Sequence, residues 1–322
     1  MMEVSVIGTR GSPLAMWQAD HVRRALLEAH PGLKVEIEII RTTGDALPEP
    51  SLARIGGKGV FTKEIENALL KRDVDLAVHS LKDLPTQLAD GLCLAALLER
   101  EDPADALVAR EGRTLAQLPA GAKLLTGSFR RQAQLLHRRP DLKIAPMRGN
   151  VQTRLSKFDR SDASAMILAC AGLARLNLAD RITERLDPAA FLPACGQGAL
   201  AVEVRAEDLR TADLCRPLDD RPTRLATTAE RAFLAALGGG CLAPIGAYGR
   251  WPDGAEDLAL TGMVASPDGS RLVRRTVAGA ARESRDAAAL GERLAERLRA
   301  DGAEEILREI ARPSMTTLRE GP

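Results

Sequence analysis

Apolar and polar positions alternate between two rhythms along the first half of the chain. Short β-rich runs are followed by stretches with helical spacing, the pattern of α/β layers built on a largely parallel or mixed sheet. Val4 to Ile7 predicts a first strand. Ser12-Pro13 supplies a cap and a first helical position, and Ala15, Ala19, Val22 and Leu26 fall on one face of the helix that follows. Val35 to Ile40 alternates as a second strand. Phe61, Ile65, Ala68 and Leu69 mark another amphipathic helix, and Val74 to Val78 a short buried strand ending at His79-Ser80. Beyond it lies the loop Leu81-Lys82-Asp83-Leu84-Pro85.

A second alternating block runs from about Asp105 to Pro193, with strands near Ala106 to Ala109 and Ala165 to Ala169 and helices beginning near Ser128 and Asn150. The charged stretch Glu99-Arg100-Glu101-Asp102-Pro103 between the blocks suits a hinge. Arg216-Pro217 and Arg221-Pro222 punctuate the entrance to a third unit. There, Leu258 to Ala265, Ser266-Pro267-Asp268-Gly269 and Arg271 to Ala278 read as strand, turn and strand, and the following helices carry Leu290, Leu294 and Leu298. This is the pattern of a small α+β domain. Within it, a capping box at Thr227-Thr228-Ala229-Glu230 predicts a helix start, and Gly238-Gly239-Gly240 its end, which leaves Cys241 on a pliable loop.

At 322 residues the chain exceeds what one hydrophobic core organises, so two or three domains are expected. Basic and acidic side chains nearly balance, 45 against 44, which argues against a nucleic-acid partner and makes any anion site local. The start of the chain lacks a basic region followed by an apolar one, and no apolar run is long enough to span a bilayer, so a cytoplasmic location without membrane contact is expected. The five cysteines are scattered and without CxxC spacing, and the four histidines show no ligand spacing, so neither a disulfide framework nor a metal is indicated.

Charge is concentrated in one place. From Lys123 to Phe158 nine basic side chains face the single acid Asp141, a local charge of +8. Arg130 and Arg131 directly follow the cap Ser128, although a cation in the first turn opposes the helix dipole by about 0.3–1 kcal/mol. Asn150, with Arg148 and Arg154, repeats the arrangement. A solvated basic face accounts for such a run about as well as a binding site does, but its location at two helix starts favours an anion held by backbone N–H groups and guanidinium forks. Carboxylate is preferred to phosphate, because neither a GxxxxGK[ST] loop nor a strand-linked GxGxxG fingerprint is present. These residues by themselves define a polyanionic ligand and nothing narrower.

Seven segments stand out: Thr9-Arg10-Gly11-Ser12-Pro13-Leu14-Ala15, Gly56-Gly57-Lys58-Gly59-Val60-Phe61, His79-Ser80-Leu81-Lys82-Asp83-Leu84-Pro85, Arg130-Arg131-Gln132, Arg148-Gly149-Asn150-Val151, Gly196-Gln197-Gly198-Ala199-Leu200 and Gly239-Gly240-Cys241. In order and spacing, together they resemble the porphobilinogen deaminase (hydroxymethylbilane synthase) family. One departure is Leu125-Thr126-Gly127-Ser128, where the family usually shows Gly-Thr-Ser-Ser.

The resemblance implies two periplasmic-binding-protein-like α/β domains around a cleft plus a small α+β C-terminal domain. Domain 1 would comprise residues 1–99 with 199–216, domain 2 residues 104–193 and domain 3 residues 221–312. It also implies a transferase of tetrapyrrole (heme-type) biosynthesis that condenses four porphobilinogen molecules head to tail on a dipyrromethane cofactor, held as a thioether on Cys241. Asp83, assisted by Lys82, carries the catalysis in this reading, because loss of ammonia creates a cation that a nearby carboxylate stabilises. The cofactor would be held by Lys58, Ser80, Lys82, Asp83, Thr126, Ser128, Arg130, Arg131 and Arg148. Substrate would meet Arg10, Ser12, Gln18, Phe61, Arg148, Arg154, Arg175 and Gln197. The same resemblance implies a monomer, motion about the segments Glu99 to Pro103 and Pro193 to Gly198, and transient contact with uroporphyrinogen-III synthase. Two rivals follow from the residues alone: a non-catalytic two-domain polycarboxylate-binding protein, for which Lys82, Asp83 and Cys241 would be idle, and an RNA-binding module, for which stacking aromatics are scarce at 2% of the chain.

Overall fold

The computed structural model describes residues 4–42, 62–239 and 243–311. Its strands in chain order are β1 (Val4–Thr9), β2 (Lys34–Ile39), β3 (Leu76–Ser80), β4 (Leu92–Leu97), β5 (Asp105–Ala109), β6 (Lys123–Leu125), β7 (Lys143–Ala145), β8 (Ala165–Ala169), β9 (Glu184–Leu186), β10 (Leu200–Arg205), β11 (Ile245–Arg250), β12 (Leu258–Ala265) and β13 (Leu272–Gly279). They form three sheets in an α/β multidomain fold.

The first two sheets share one topology. One is ordered β2-β1-β3-β10-β4 and the other β7-β6-β8-β5-β9. In each, three parallel strands meet an antiparallel one at the fourth position, β10 against β3 and β5 against β8. Those two antiparallel strands are the ones reached by crossing over: the chain leaves the first sheet after β4 to enter β5, and returns after β9 through β10. The crossing segments touch, the Glu101 N–H donating to Gly198 O at 3.3 Å. Gly198 has φ +92°, and a Cβ there would lie 2.2 Å from Glu101 O, so only glycine permits this approach.

Local signals explain the helices that position the site. Ser12 Oγ accepts from Ala15 N at 3.3 Å, Pro13 occupies the first turn, and Ala19, Val22 and Leu26 are buried beneath β1 and β3. Ser128 and Asn150 cap the helices Phe129–Arg138 and Val151–Asp159 by accepting from Arg131 N and Thr153 N. Ile65, Ala68 and Leu69 form the buried face of Lys63–Lys71, whereas Phe61 lies outside the described residues. Strand boundaries differ from the sequence pattern by a residue or two, β3 starting at Leu76 and not Val74, and β13 at Leu272 and not Arg271.

The third sheet is the antiparallel meander β11-β12-β13, covered by the helices Arg221–Ala236 and Ser284–Leu298 around Phe233, Leu260, Leu290, Leu294 and Leu298. The helix does not begin at Thr227; Asp220 caps it by accepting from Thr223 N at 2.9 Å, with Pro222 in its first turn. Thr227 lies mid-helix and donates its hydroxyl to Thr223 O at 2.7 Å, and Glu230 is fully buried. The Thr-x-x-Glu spacing imitates a capping box, but the Asp-Arg-Pro signal seven residues earlier is stronger because Pro fixes φ where a lost N–H costs nothing. The helix ends as expected, with Gly238 at φ +65° and Gly239 N donating to Leu234 O, a Schellman closure.

Candidate active site

Ligands of open α/β sheets collect beyond the carboxyl ends of the parallel strands, where loops are free and helix N-termini point inward. The expected site residues follow those ends: Arg10 and Ser12 after β1, Lys82 and Asp83 after β3, Thr126 and Ser128 after β6, Arg148 after β7, and Arg175 on the helix after β8. Gln197 stands on the returning crossover, just before β10. Lys58 and Cys241, like Phe61, lie outside the described residues.

At the centre is a carboxylate that the sequence pattern did not single out. Asp105, fully buried at the start of β5, accepts from Arg130 Nη1 at 2.7 Å through Oδ2, and from Arg131 Nε at 3.0 Å and Nη2 at 2.7 Å through Oδ1. Gln197 Nε2 donates to the same Oδ1 at 2.9 Å, and Lys82 Nζ donates to Gln197 Oε1 at 3.3 Å. Burial alone pushes the Asp105 carboxyl up, but the charges of Arg130 and Arg131 outweigh it and hold the group well below the usual carboxylate range. The anion called for at this helix start is therefore supplied in part by the chain. The arginine pair is not committed in full: among the described residues, Arg130 donates through Nη1 alone, to Asp105 and to Leu192 O at 2.6 Å.

The remaining cations are less neutralised. Arg154 donates from Nε to Gly149 O at 2.7 Å; burial and the neighbouring charge of Arg131 lower its pKa to about 10, with Asp83 opposing and Arg148 adding to the effect. Arg175, 7% exposed, donates to Gly198 O at 2.6 Å and is lowered to about 10 by burial, with only Glu101 opposing. Lys82 is lowered to about 8, chiefly by burial, with Asp83 and Asp105 opposing and Arg131 and Arg130 reinforcing.

Asp83 itself is exposed and has no hydrogen-bond partner among the described residues. Its charge acts on Lys82 beside it and on Arg154 of the helix Val151–Asp159. Two acids thus have different surroundings: Asp105 is consumed by arginines, while Asp83 remains available. Ser80 Oγ accepts from Gln18 Nε2 at 2.8 Å, and Thr126 Oγ1 accepts from Ser128 N at 3.2 Å, which leaves each hydroxyl proton for another acceptor. Sequence reasoning missed Asp105, although an acid entering the apolar run Ala106-Leu107-Val108-Ala109 is a legible sign of a buried partner.

Two further residues fasten this site to the third sheet. Glu230 accepts from Arg100 Nη1 at 2.6 Å and Nη2 at 3.1 Å, and from Gly196 N at 2.7 Å, so one carboxylate holds both crossovers. Arg231 donates to Leu84 O, Pro85 O and Thr86 O, pinning the loop that carries Asp83. A separate concavity lined by Val4, Arg72, Asp75, Arg205 and Asp208 lies at the opposite ends of β1 and β10, where Arg72 pairs with Glu207 and Arg205 with Asp208.

Residues 5–213 match the family described as porphobilinogen deaminase, dipyromethane cofactor binding domain, and residues 224–300 match porphobilinogen deaminase, C-terminal domain. The chain is 52% identical over 305 residues to the porphobilinogen deaminase of Desulforudis audaxviator, covering 95% of this chain and 97% of that one. It is 50% identical over 301 residues to that of Syntrophotalea carbinolica, covering 94% of each. Among solved structures, the periplasmic VFT2 domain of Bordetella pertussis BvgS is similar at 15% identity and a TM-score of 0.41, over 66% of this chain and 85% of that one.

Proposed function

The chain belongs to the porphobilinogen deaminase family and is a transferase of tetrapyrrole biosynthesis with a dipyrromethane cofactor, and we propose that its residues divide the work by charge. Guanidinium and hydroxyl groups hold the acetate and propionate arms of the pyrroles, while Asp83 attends to the cation formed when ammonia leaves. The non-catalytic and RNA-binding alternatives fall with the family membership. The observation that carries the division is the contrast between the two acids, Asp105 saturated by Arg130, Arg131 and Gln197, and Asp83 exposed with no hydrogen-bond partner among the described residues.

The described residues fit the cofactor. Dipyrromethane carries several carboxylates, and the site offers Arg130, Arg131, Arg148, Arg154, Ser80, Thr126 and Ser128 as donors, joined by Lys58 and by Cys241 as the thioether anchor. When bound, the cofactor supplies the pyrrole α-carbon to which the first substrate ring is joined. The chain does the rest. Arg10, Ser12, Arg154 and Arg175 orient the incoming porphobilinogen through its carboxylates, with Gln18, Gln197 and Phe61 completing the surroundings. Asp83 stabilises positive charge developing on the pyrrole nitrogen and moves protons between leaving amine and attacked ring, with Lys82 beside it as the assisting cation. Arg231 and Glu230 hold the loop and crossovers so that these groups stay in register.

Four successive condensations need growing space. We assign it to relative motion of two periplasmic-binding-protein-like domains, residues 1–99 with 199–216 and residues 104–193, about Glu99 to Pro103 and Pro193 to Gly198, with residues 221–312 as the third domain. A cytoplasmic monomer that hands its product to uroporphyrinogen-III synthase belongs to the same reading.

Intact-mass measurement of the purified protein tests it. The expected result is excess mass equal to two linked pyrrole units, absent from Cys241→Ala, together with an Asp83→Ala variant that folds but loses product formation by about 100-fold or more. An unmodified yet fully active protein overturns the primer, and a fully active Asp83→Ala overturns the charge division.

A further inference from the structure

Most buried arginines here have a carboxylate in contact. Arg130 and Arg131 share Asp105, Arg100 has Glu230, and Arg205 has Asp75 and Asp208. Arg175 differs. It is 7% exposed, its nearest acidic influence is Glu101 acting at a distance, and the group beneath it is a ring: its guanidinium carbon lies over Trp17 at 5.7 Å from the centroid. The two residues come from different units, Trp17 from the helix Pro13–Ala29 packed on the first sheet and Arg175 from the helix after β8 in the second. Their helices meet closely, a Cβ on Gly172 falling 3.9 Å from Leu14 Cδ2.

A ring face and a carboxylate hold a guanidinium in different ways. A contacting carboxylate would neutralise Arg175 and compete with any carboxylate of the ligand. The electron-rich face of an indole attracts the cation without cancelling its charge and without accepting its N–H groups. Among the described residues only one acceptor takes an N–H of Arg175, Gly198 O at 2.6 Å. Trp17 is in turn backed by His21, whose ring stacks on it at 5.0 Å and 8°.

We infer that Trp17 is a positioning residue for Arg175: from the opposite unit it fixes the guanidinium in place while leaving its charge and N–H groups for a carboxylate of the growing oligopyrrole. The inference rests on the reading of Arg175 as a substrate-binding group. It makes the grip dependent on the two units being together, since neither carries both halves.

The test uses cofactor-loaded enzyme and steady-state kinetics with porphobilinogen for Trp17→Phe, Trp17→Leu and Arg175→Gln. Trp17→Leu is expected to raise KM about tenfold, equivalent to about 1.4 kcal/mol, with kcat within about twofold; Trp17→Phe, which keeps a ring, restores most of the loss. A second readout is fluorescence. The chain has two tryptophans, and Trp251 Nε1 makes no hydrogen bond among the described residues, so Trp251→Phe removes none of these and leaves Trp17 as the sole tryptophan, excited selectively over Tyr248 at the red edge. Its emission is expected to change when porphobilinogen is added, and that change to vanish in Arg175→Gln. Unchanged KM in Trp17→Leu with a raised KM in Arg175→Gln would sink the role of Trp17 and leave that of Arg175. Unchanged KM in both would sink the underlying reading. Should Trp17→Leu fail to fold, an emission from Trp17 that ignores substrate overturns the inference by itself.

Discussion

Glu230 Oε1 lies 2.6 Å from Arg100 Nη1, although the two residues are 130 positions apart and the carboxylate is fully buried. The pair joins the third sheet's first helix to the outgoing crossover, and Glu230 reaches the returning crossover through Gly196 N. Glu230→Gln keeps the shape and removes the charge, stranding Arg100. Loss of about 3–5 kcal/mol of stability is expected, read as a lower denaturant midpoint. An unchanged midpoint would show that the junction does not depend on charge.

Asp105→Asn should produce a related loss with a distinctive pH signature. The Asp105 carboxyl is held below its ordinary value in the folded protein, so its contribution is complete above about pH 4, the unfolded value, and disappears as pH falls through the folded one. The stability gap between wild type and Asp105→Asn is therefore expected to be widest near neutrality and to shrink on acidification. A gap independent of pH between about 7 and 2 contradicts this assignment.

Lys82 gives the alkaline counterpart. Burial lowers its pKa to about 8, so the folded state sheds this proton before the unfolded chain does, and Lys82 contributes a rise in stability between about pH 8 and the ordinary lysine value. If the ammonium supports Asp83, kcat/KM falls on the alkaline side with an apparent pKa near 8. Lys82→Arg, which stays charged, should move that limb upward. An unmoved limb assigns it elsewhere.

Gly198→Ala tests the contact between the crossovers. The residue sits at φ +92° with Glu101 O in the path of a Cβ, so about 1–3 kcal/mol of backbone strain is expected before the steric clash is added. Thermal unfolding should show a lowered midpoint. A variant as stable as wild type would mean that the crossovers separate at little cost.

What the sequence revealed was whatever its neighbours decide. The caps at Ser12, Ser128 and Asn150, the buried faces of their helices and the ending at Gly238 depend on residues within one or two turns, and each was readable. The false helix start at Thr227 arose where two local signals competed and the earlier, proline-bearing one prevailed. Partners were harder. Asp105 and Arg131 are 26 positions apart, and Arg175 and Trp17 are joined only when two sheets come together; no spacing rule connects them. Arginines were therefore legible as cations, but not which of them the protein itself would neutralise.

Strand β10 lies between β3 and β4, yet it is made only after every strand of the second sheet. A nascent chain leaving the ribosome thus carries an N-terminal sheet with a slot in its middle until residues 200–205 emerge. The amino-terminal unit cannot be completed first, in contrast to the usual order of synthesis. Products truncated before Leu200 would retain two facing strand edges with unsatisfied backbone groups, the kind of surface that recruits other chains and that quality-control proteases and chaperones encounter.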